Sequence, residues 1–333
     1  PPEALSAWVE GRNGYHGARV GIVGAGVTGI AAALLLRSHG VQVTLWDKGY
    51  NPGGRVARRP TAGEGGIEHG TQSFYITGTS LQHDRFLEYC RAWSGSTHLQ
   101  EFDDSPNGFH GVGNLQGWLR ELIRPFAFHR QTAVSRIALS STDIEVLGPD
   151  NSLGTFDAVI ATVPAPQMAP LVDAELQADL RPLDEIVYLP SIVVAAAWPE
   201  GGAPPEAELS RCLGGGTVSR QHGAPGLSTW TIEAPPQWSG EHLELSKDEL
   251  SQLFTRACEA AGEAPPLEVW AHRWRYARVE RPLGAPYWAE KTSRLFWAGD
   301  GAFGGGVEGA WCSGERAAAA LLARFRDGLP QEG

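Results

Sequence analysis

Three closely spaced glycines near the start of the chain are the residues best suited to chemistry. They are Gly24, Gly26 and Gly29, in the run Gly21-Ile22-Val23-Gly24-Ala25-Gly26-Val27-Thr28-Gly29. The first permits a tight turn, the second lets a phosphate oxygen reach bare backbone, and the third lets a helix pack closely on a strand. A helix opening at Val27 and Thr28 presents unpaired N–H groups and the positive end of its dipole to that phosphate. Asp47 closes the next apolar stretch, where it can accept hydrogen bonds from a ribose diol, and Lys48 belongs to the same adenosine end. The spacing alone is weak evidence among 42 glycines. With strand, helix and acid in register it predicts a dinucleotide site, against the competing reading of a glycine turn that binds nothing.

Two further clusters favour a flavin dinucleotide over a nicotinamide one. Gly53-Gly54-Arg55 follows Asp47 closely and puts a flexible loop and a guanidinium where they could return to the same pyrophosphate. A solvated surface arginine is the alternative. Near the other end, Leu295-Phe296-Trp297-Ala298-Gly299-Asp300 leads into Gly304-Gly305-Gly306-Val307-Glu308-Gly309. Asp300 at a strand end could hold a ribityl hydroxyl. A helix starting near Val307 and Glu308 would aim its positive end at the ring edge that gains negative charge on reduction.

The elements that must position these residues can be read from hydrophobic period and punctuation. Arg19–Val23 predicts a buried strand, Val27–His39 a helix stopped by Gly40, and Val41–Trp46 a second strand, together one βαβ unit. Asn51–Gly54 and Thr61–Gly66 read as loops. Asn114 caps a helix running to Ile123, and Ala133–Val146 and Phe156–Val163 read as strands. Strands are expected at Ser191–Ala197 and Leu227–Ile232, a helix at Lys247–Ala261, and a closing strand Arg294–Ala298 before a helix Val307–Phe325. The expected fold is α/β: a Rossmann-type dinucleotide-binding domain from 18–77, 111–164 and 270–328, interleaved with a mixed-sheet substrate domain from 78–110 and 165–269.

Bulk properties narrow the function classes. At 333 residues, 42% hydrophobic and 20% charged, the chain has ordinary globular composition and is long enough for two lobes. A net charge of −11 argues against nucleic acid or an anionic membrane as the main partner. No apolar run is long enough to span a bilayer, residues 1–18 lack the pattern of a secretory leader, and a cytoplasmic setting is expected. Four separated cysteines, Cys90, Cys212, Cys258 and Cys312, match neither a disulfide framework nor a zinc site, so no metal is expected.

The fingerprint, Gly53-Gly54-Arg55 and the closing Ala298-Gly299-Asp300…Val307-Glu308-Gly309-Ala310…Ser313-Gly314 together resemble the flavin-containing amine oxidase superfamily. Within it, Glu68-His69-Gly70-Thr71-Gln72-Ser73-Phe74-Tyr75-Ile76-Thr77 is similar to a stretch that marks renalase-like proteins. His272–Ala277 and Phe156–Pro166 fit the same subgroup, and the resemblance touches most of the chain. It implies non-covalent FAD, adenine met by the backbone of Val134 at the end of a strand, and Gly70, Thr71 and Gln72 along the flavin. Thr71 and Ser73 depart from the smaller and the aromatic residue of that pattern.

Amine oxidases of this superfamily place a lysine near the flavin. The three lysines here are Lys48 at the adenosine end, Lys247 at the start of a surface helix and Lys291 in a polar turn. None suits that role. Renalase-like enzymes are described as oxidising misreduced dihydronicotinamide isomers, with O2 as electron acceptor. Such a ring expels hydride as it becomes aromatic, which calls for orientation and no general base. Gln72, His272 and Arg273 are then the candidate substrate-facing residues. His272 could equally be a structural histidine, and Arg273 or Arg275 could serve only to pair with carboxylates. The late tryptophans could form a stacking wall or simple core. Rival readings are an amine or amino-acid oxidase or desaturase with another base, a flavin-binding protein without turnover, and an NAD-dependent dehydrogenase.

Overall fold

The computed structural model describes residues 15, 17–60, 66–221 and 225–327. They divide into two compact units. The first takes the described residues up to Gly54, then Ser73–Val187 and those from Val279 onward; the second takes Arg55–Gln72 and Tyr188–Arg278.

The first unit is built on a six-stranded sheet. Its strands are β1 (Arg19–Val23), β2 (Gln42–Trp46), β3 (Ala127–His129), β4 (Ala158–Ala161), β9 (Trp288–Ala289) and β10 (Leu295–Trp297), in the order β9-β10-β4-β1-β2-β3. All neighbours are parallel except β9 with β10. The carboxyl ends of β1, β4 and β10 therefore share one edge, the edge where open α/β sheets bind ligands. Strands β4 and β10 are buried throughout, as strands covered on both faces must be. Helix α1 (Val27–Ser38) is rich in Ala and Leu and buried around most of its circumference. It stops where Gly40 takes a left-handed φ of 83°. Helix α8 (Gly306–Asp327) crosses α1 so closely that a Cβ on Gly314 would lie 2.2 Å from the Thr28 carbonyl oxygen.

Helix α2 (Leu81–Trp93) packs Phe86 and Tyr89 on Trp311 of α8, with ring centroids 4.6 and 5.0 Å apart. Residues 78–110 thus lie with the dinucleotide-type sheet, where the sequence assigned them to the substrate domain. The same holds for 165–187: Trp288 Nε1 donates to the Asp179 carbonyl and Arg281 to that of Glu185. The expected strand Ala133–Val146 is a pair, Arg136–Leu139 and Ile144–Leu147, because Ser140 and Asp143 close a hydrogen-bonded turn between them. Helix α3 (Leu115–Ile123) begins as expected, with the Asn114 side chain accepting from the Gly117 N–H at 2.7 Å. Of the loop expected at Thr61–Gly66, residues 61–65 lie outside the described residues, and Gly66 opens a short strand paired with Arg58–Pro60.

The second unit has a four-stranded sheet of β5 (Val187–Pro199), β6 (Thr217–Gln221), β7 (Leu227–Glu233) and β8 (Glu268–Arg281), in the order β6-β7-β5-β8. Strand alternation gives it two unlike faces. Ile192, Val194, Ala196 and Trp198 with Ile232 and Ala271 form an apolar core against helices α4 (Glu206–Cys212) and α6 (Lys247–Ala260), through Leu209, Leu250 and Phe254, with the short α5 (Pro236–Glu241) between them in sequence. The other face carries Ser191, Val193, Thr217, Ser219, Thr231 and Glu233. Among the described residues, no helix is long and apolar enough to cross a membrane, and no His, Cys, Asp and Glu group could hold a metal ion.

Candidate functional site

The first unit brings the glycine loops together. Gly24 has φ 110°, and the Thr162 hydroxyl bridges the Val23 and Gly24 carbonyls at 3.1 Å each, fixing the turn at the end of β1. A Cβ on Gly29 would sit 2.1 Å from the Gly24 carbonyl oxygen, so helix and loop approach as only glycine allows. Gly26 differs: its backbone is extended, and an added Cβ meets nothing within 4 Å. No side chain caps this helix end and its first turn holds no acid. The Gly53 N–H donates to the Ala25 carbonyl at 2.8 Å, and the site of a Cβ on Gly54 lies 3.5 Å from the Gly26 Cα. The two N-terminal glycine loops are therefore in backbone contact.

Asp47 accepts the Ala25 N–H on one carboxylate oxygen at 2.8 Å and the Gly49 N–H on the other at 2.7 Å. Thr132 donates its N–H to the Asp47 carbonyl, bringing the following segment alongside the end of β2. Val134 lies in that segment, half-buried and two residues ahead of Arg136–Leu139 rather than at a strand's end. Lys48 is exposed. At β10, the Gly299 N–H donates to Ser313 Oγ at 2.9 Å, and Asp300 opens a short buried helix α7 (Asp300–Phe303) that the sequence did not announce. A Cβ on Gly309 would stand 2.1 Å from the Gly304 carbonyl oxygen, repeating the Gly29–Gly24 contact at the second loop. Val307 is buried. The Glu308 carboxylate is taken up by the Thr77 and Gly78 N–H groups at 3.0 and 2.8 Å. An uncapped helix start, open space over Gly26 and a ribose-competent acid, all on one sheet edge, fit the phosphates and sugar of a dinucleotide.

The second unit holds a polar cavity of about 170 Å³. The sheet's hydroxyl face forms one wall; Arg55 with Glu68, His69, Gly70, Thr71 and Gln72 and the strand residues Trp274, Ala277 and Arg278 complete it. Thr231 and Ser191 are buried to within a few per cent yet polar, which a purely structural sheet face would avoid. Glu233 Oε1 accepts from Ser191 at 2.9 Å and from Arg278 at 2.8 Å. Gly70 is required by packing, since a Cβ there would lie 1.9 Å from the Arg55 carbonyl oxygen.

Beside the cavity, His69, Trp270, His272 and Trp274 pack in one aromatic cluster, in which His69 and Trp274 are stacked. Trp274 is locked by its Nε1 donating to the His69 carbonyl at 2.9 Å. Burial pushes the His69 imidazole down to about 4. Burial also pushes His272 down, to about 3, helped by His69 and by the cations Lys247 and Arg273. Both rings are neutral and weakly basic at neutral pH.

Three expectations change here. Arg273 shares the helix-covered side of β8 with Ala271, and its guanidinium donates to the Leu243 and Leu245 carbonyls, so it clamps backbone instead of facing the cavity. Arg55 donates to the Tyr276 and Ala277 carbonyls at 3.1 Å each. His272 does not line the cavity; it supports Trp274, which does. Gln72 lines the cavity. Arg275 pairs with Glu244 at 2.9 Å. The hydroxyl wall was missed, although Thr217-x-Ser219 and Thr229-x-Thr231-x-Glu233 carry the alternation that marks it.

The comparisons agree with this architecture. Residues 96–322 match the family model for flavin containing amine oxidoreductases, and residues 22–90 that for an NAD(P)-binding Rossmann-like domain. Mouse renalase is 27% identical over 300 residues, covering 78% of this chain and 85% of that protein. Among solved structures, a candidate protoporphyrinogen oxidase from Exiguobacterium sp. 255-15 superposes with a TM-score of 0.66 at 14% identity, over 93% of this chain and 100% of that one. Cyclohexylamine oxidase from Brevibacterium oxydans IH-35A gives 0.61 at 15%, over 93% and 99%. At such identities the structural likeness speaks for the fold alone. The family match spans most of the chain. The chain belongs to the flavin containing amine oxidoreductases and is an FAD-dependent oxidoreductase.

Proposed function

We propose that this chain oxidises isomeric dihydronicotinamide dinucleotides, with dioxygen as the final electron acceptor. The carrying observation is the chemistry of the second unit's cavity: buried hydroxyls, an amide and an aromatic wall, with no lysine among the lining residues. His69 is the imidazole that lines it, and with its pKa pushed down to about 4 it is a poor general base. Glu233 is engaged by Ser191 and Arg278. Removing a proton from an amine would ask for a base; a dihydropyridine asks only to be held flat.

FAD, when bound, supplies the hydride acceptor and returns the electrons to dioxygen. We assign its pyrophosphate to the backbone of Gly24, Gly26, Val27, Thr28, Gly29 and Gly54, its adenosine ribose to Asp47 beside Lys48, and its adenine to the backbone of Val134. Gly299, Asp300, Val307 and Glu308 would serve the ribityl chain and ring, the last two through the start of α8. Gly70, Thr71 and Gln72, which line the cavity, are the proposed ring-side residues, with Trp274 as a planar wall for the nicotinamide. Arg55 keeps a supporting role through its carbonyl partners. Attachment is non-covalent: Cys312 is buried in α8, its thiol pushed up to about 12 by that burial.

The test is aerobic turnover of the FAD-loaded protein against a donor panel. Isomeric dihydronicotinamide dinucleotides should drive oxygen uptake matched by peroxide and by oxidised dinucleotide. Uptake driven only by primary amines or amino acids would overturn the assignment.

A further inference from the structure

Two cysteines that the flavin site does not use face each other beneath the second unit's sheet. Cys212 ends helix α4 and Cys258 lies in helix α6, with their sulfurs 3.7 Å apart. Neither is bonded, and Cys212 is the one cysteine of the four that is not buried. We propose that Cys212 and Cys258 form a peroxide-sensitive dithiol that closes to an intramolecular disulfide, bracing α4 against α6.

The geometry favours closure. A disulfide needs its sulfurs about 2.05 Å apart, a modest approach for side chains already in contact. The residue that must move sits at a helix end. It is followed by Leu213 and then Gly214 and Gly215, both left-handed at φ 71° and 90°, so the backbone beyond it already uses the conformations most open to adjustment. Cys258 is buried in the cluster that includes Leu250, Phe254 and Leu209, so the thiol it can pair with is Cys212, which already touches it.

The chemistry divides accordingly. Hydroperoxide reaches the partly buried Cys212, the more accessible of the pair, whose sulfur attacks one peroxide oxygen; the O–O bond breaks, and sulfenic acid and water result. The Cys258 sulfur then displaces the sulfenic hydroxyl, which leaves as water with the Cys258 proton. Two thiols have lost two electrons and two protons, and both peroxide oxygens have become water. Burial and the neighbouring Cys212 push the Cys258 thiol up to about 12, so it stays protonated until the sulfenic acid stands beside it. Hydroperoxide from any source suffices, so the dithiol does not depend on the oxidase activity. An enzyme that releases peroxide would nonetheless expose itself first.

The closed bridge ties positions 46 residues apart and sits just ahead of Thr217, the first cavity-lining residue of β6. Oxidation should therefore raise the thermal midpoint of the full chain by several degrees.

The experiment treats the purified full-length protein with graded hydrogen peroxide, blocks remaining thiols by alkylation, and maps peptides with and without a dithiol reductant. The expected result is loss of two reactive thiols, a reducible peptide pair joining Cys212 to Cys258, and untouched Cys90 and Cys312. In Cys258→Ser, peroxide should leave Cys212 as a sulfenic acid trapped by dimedone; in Cys212→Ser, Cys258 should stay reduced. Wild-type protein that accumulates dimedone-labelled or overoxidised Cys212 without the joined peptide would overturn the proposal. So would a Cys212→Ser variant, replaced at a partly buried helix end and folded as wild type, in which Cys258 oxidises at the wild-type rate.

Discussion

Replacing Gly26 by alanine separates binding from folding more cleanly than any other change in the first unit. The residue has φ −77° and ψ −177°, extended backbone that alanine adopts freely, and the added Cβ meets nothing within 4 Å. The flavin-free protein should therefore keep its stability to within about 0.5 kcal/mol. The methyl group would instead occupy the space through which a phosphate oxygen reaches the loop. Losing one hydrogen bond to a charged phosphate costs about 1.5–3 kcal/mol, or roughly tenfold to a hundredfold in the dissociation constant of FAD. The assay pairs a thermal melt of flavin-free protein with a titration of FAD followed by its fluorescence. Gly29→Ala provides the contrast, because its Cβ would meet the Gly24 carbonyl oxygen at 2.1 Å and must disturb the fold itself. If Gly26→Ala bound FAD as tightly as wild type while Gly29→Ala unfolded, the phosphate would not lie on this loop.

Further outcomes follow from other parts of the structure. Gly314→Ala should push α8 away from α1, since its Cβ would approach the Thr28 carbonyl oxygen to 2.2 Å; a loss of about 1–3 kcal/mol in a denaturant melt is expected. His69 and His272 have folded pKa values of about 4 and about 3, below the unfolded value near 6.5. The unfolded chain binds the extra protons, so stability present above about pH 6.5 is lost as pH falls toward those lower values. By about pH 5 this amounts to on the order of 1–2 kcal/mol per histidine. A double His→Phe variant should flatten that part of the pH–stability curve, and an unchanged curve would refute the assignment. Thr231→Val keeps shape but removes a buried hydroxyl from the cavity wall. It should raise the apparent KM by about fivefold with little change in melting temperature.

The βαβ unit was legible because each of its signals is local: an apolar strand, a glycine turn, an Ala/Leu helix and Gly40 as its stop. The second glycine loop was legible for the same reason, and its meeting with the first on one nucleotide was the expectation, although no local signal supplies the contacts that bring it about. That depends on β10 joining β4, which joins β1, and on Gly314 resting against Thr28. Lobe membership failed at 78–110 for a related cause. Phe86 and Tyr89 pack on Trp311, more than two hundred residues away in sequence, and nothing local records that contact. The site showed the opposite weakness. Arg273 was read by residue type, when its direction is set by strand phase. Ala271 at 0% exposure fixes that phase, so Arg273 two positions on shares the helix-covered side. The hydroxyl face of β6 and β7 was visible as alternation, yet hydroxyls alternating in a strand usually face water, and only the tertiary structure shows them lining a cavity.

As proposed above, this flavin chain takes hydride from a dihydropyridine without a general base. Anaerobic single-turnover spectroscopy of the FAD-loaded protein tests it most directly. Mixing with isomeric dihydronicotinamide dinucleotides should bleach the flavin, at a rate nearly independent of pH from about 6 to 9 because no protein group in the cavity is asked to take a proton. A flavin that stays yellow with these donors and bleaches with amines, along a rising pH profile, would contradict it.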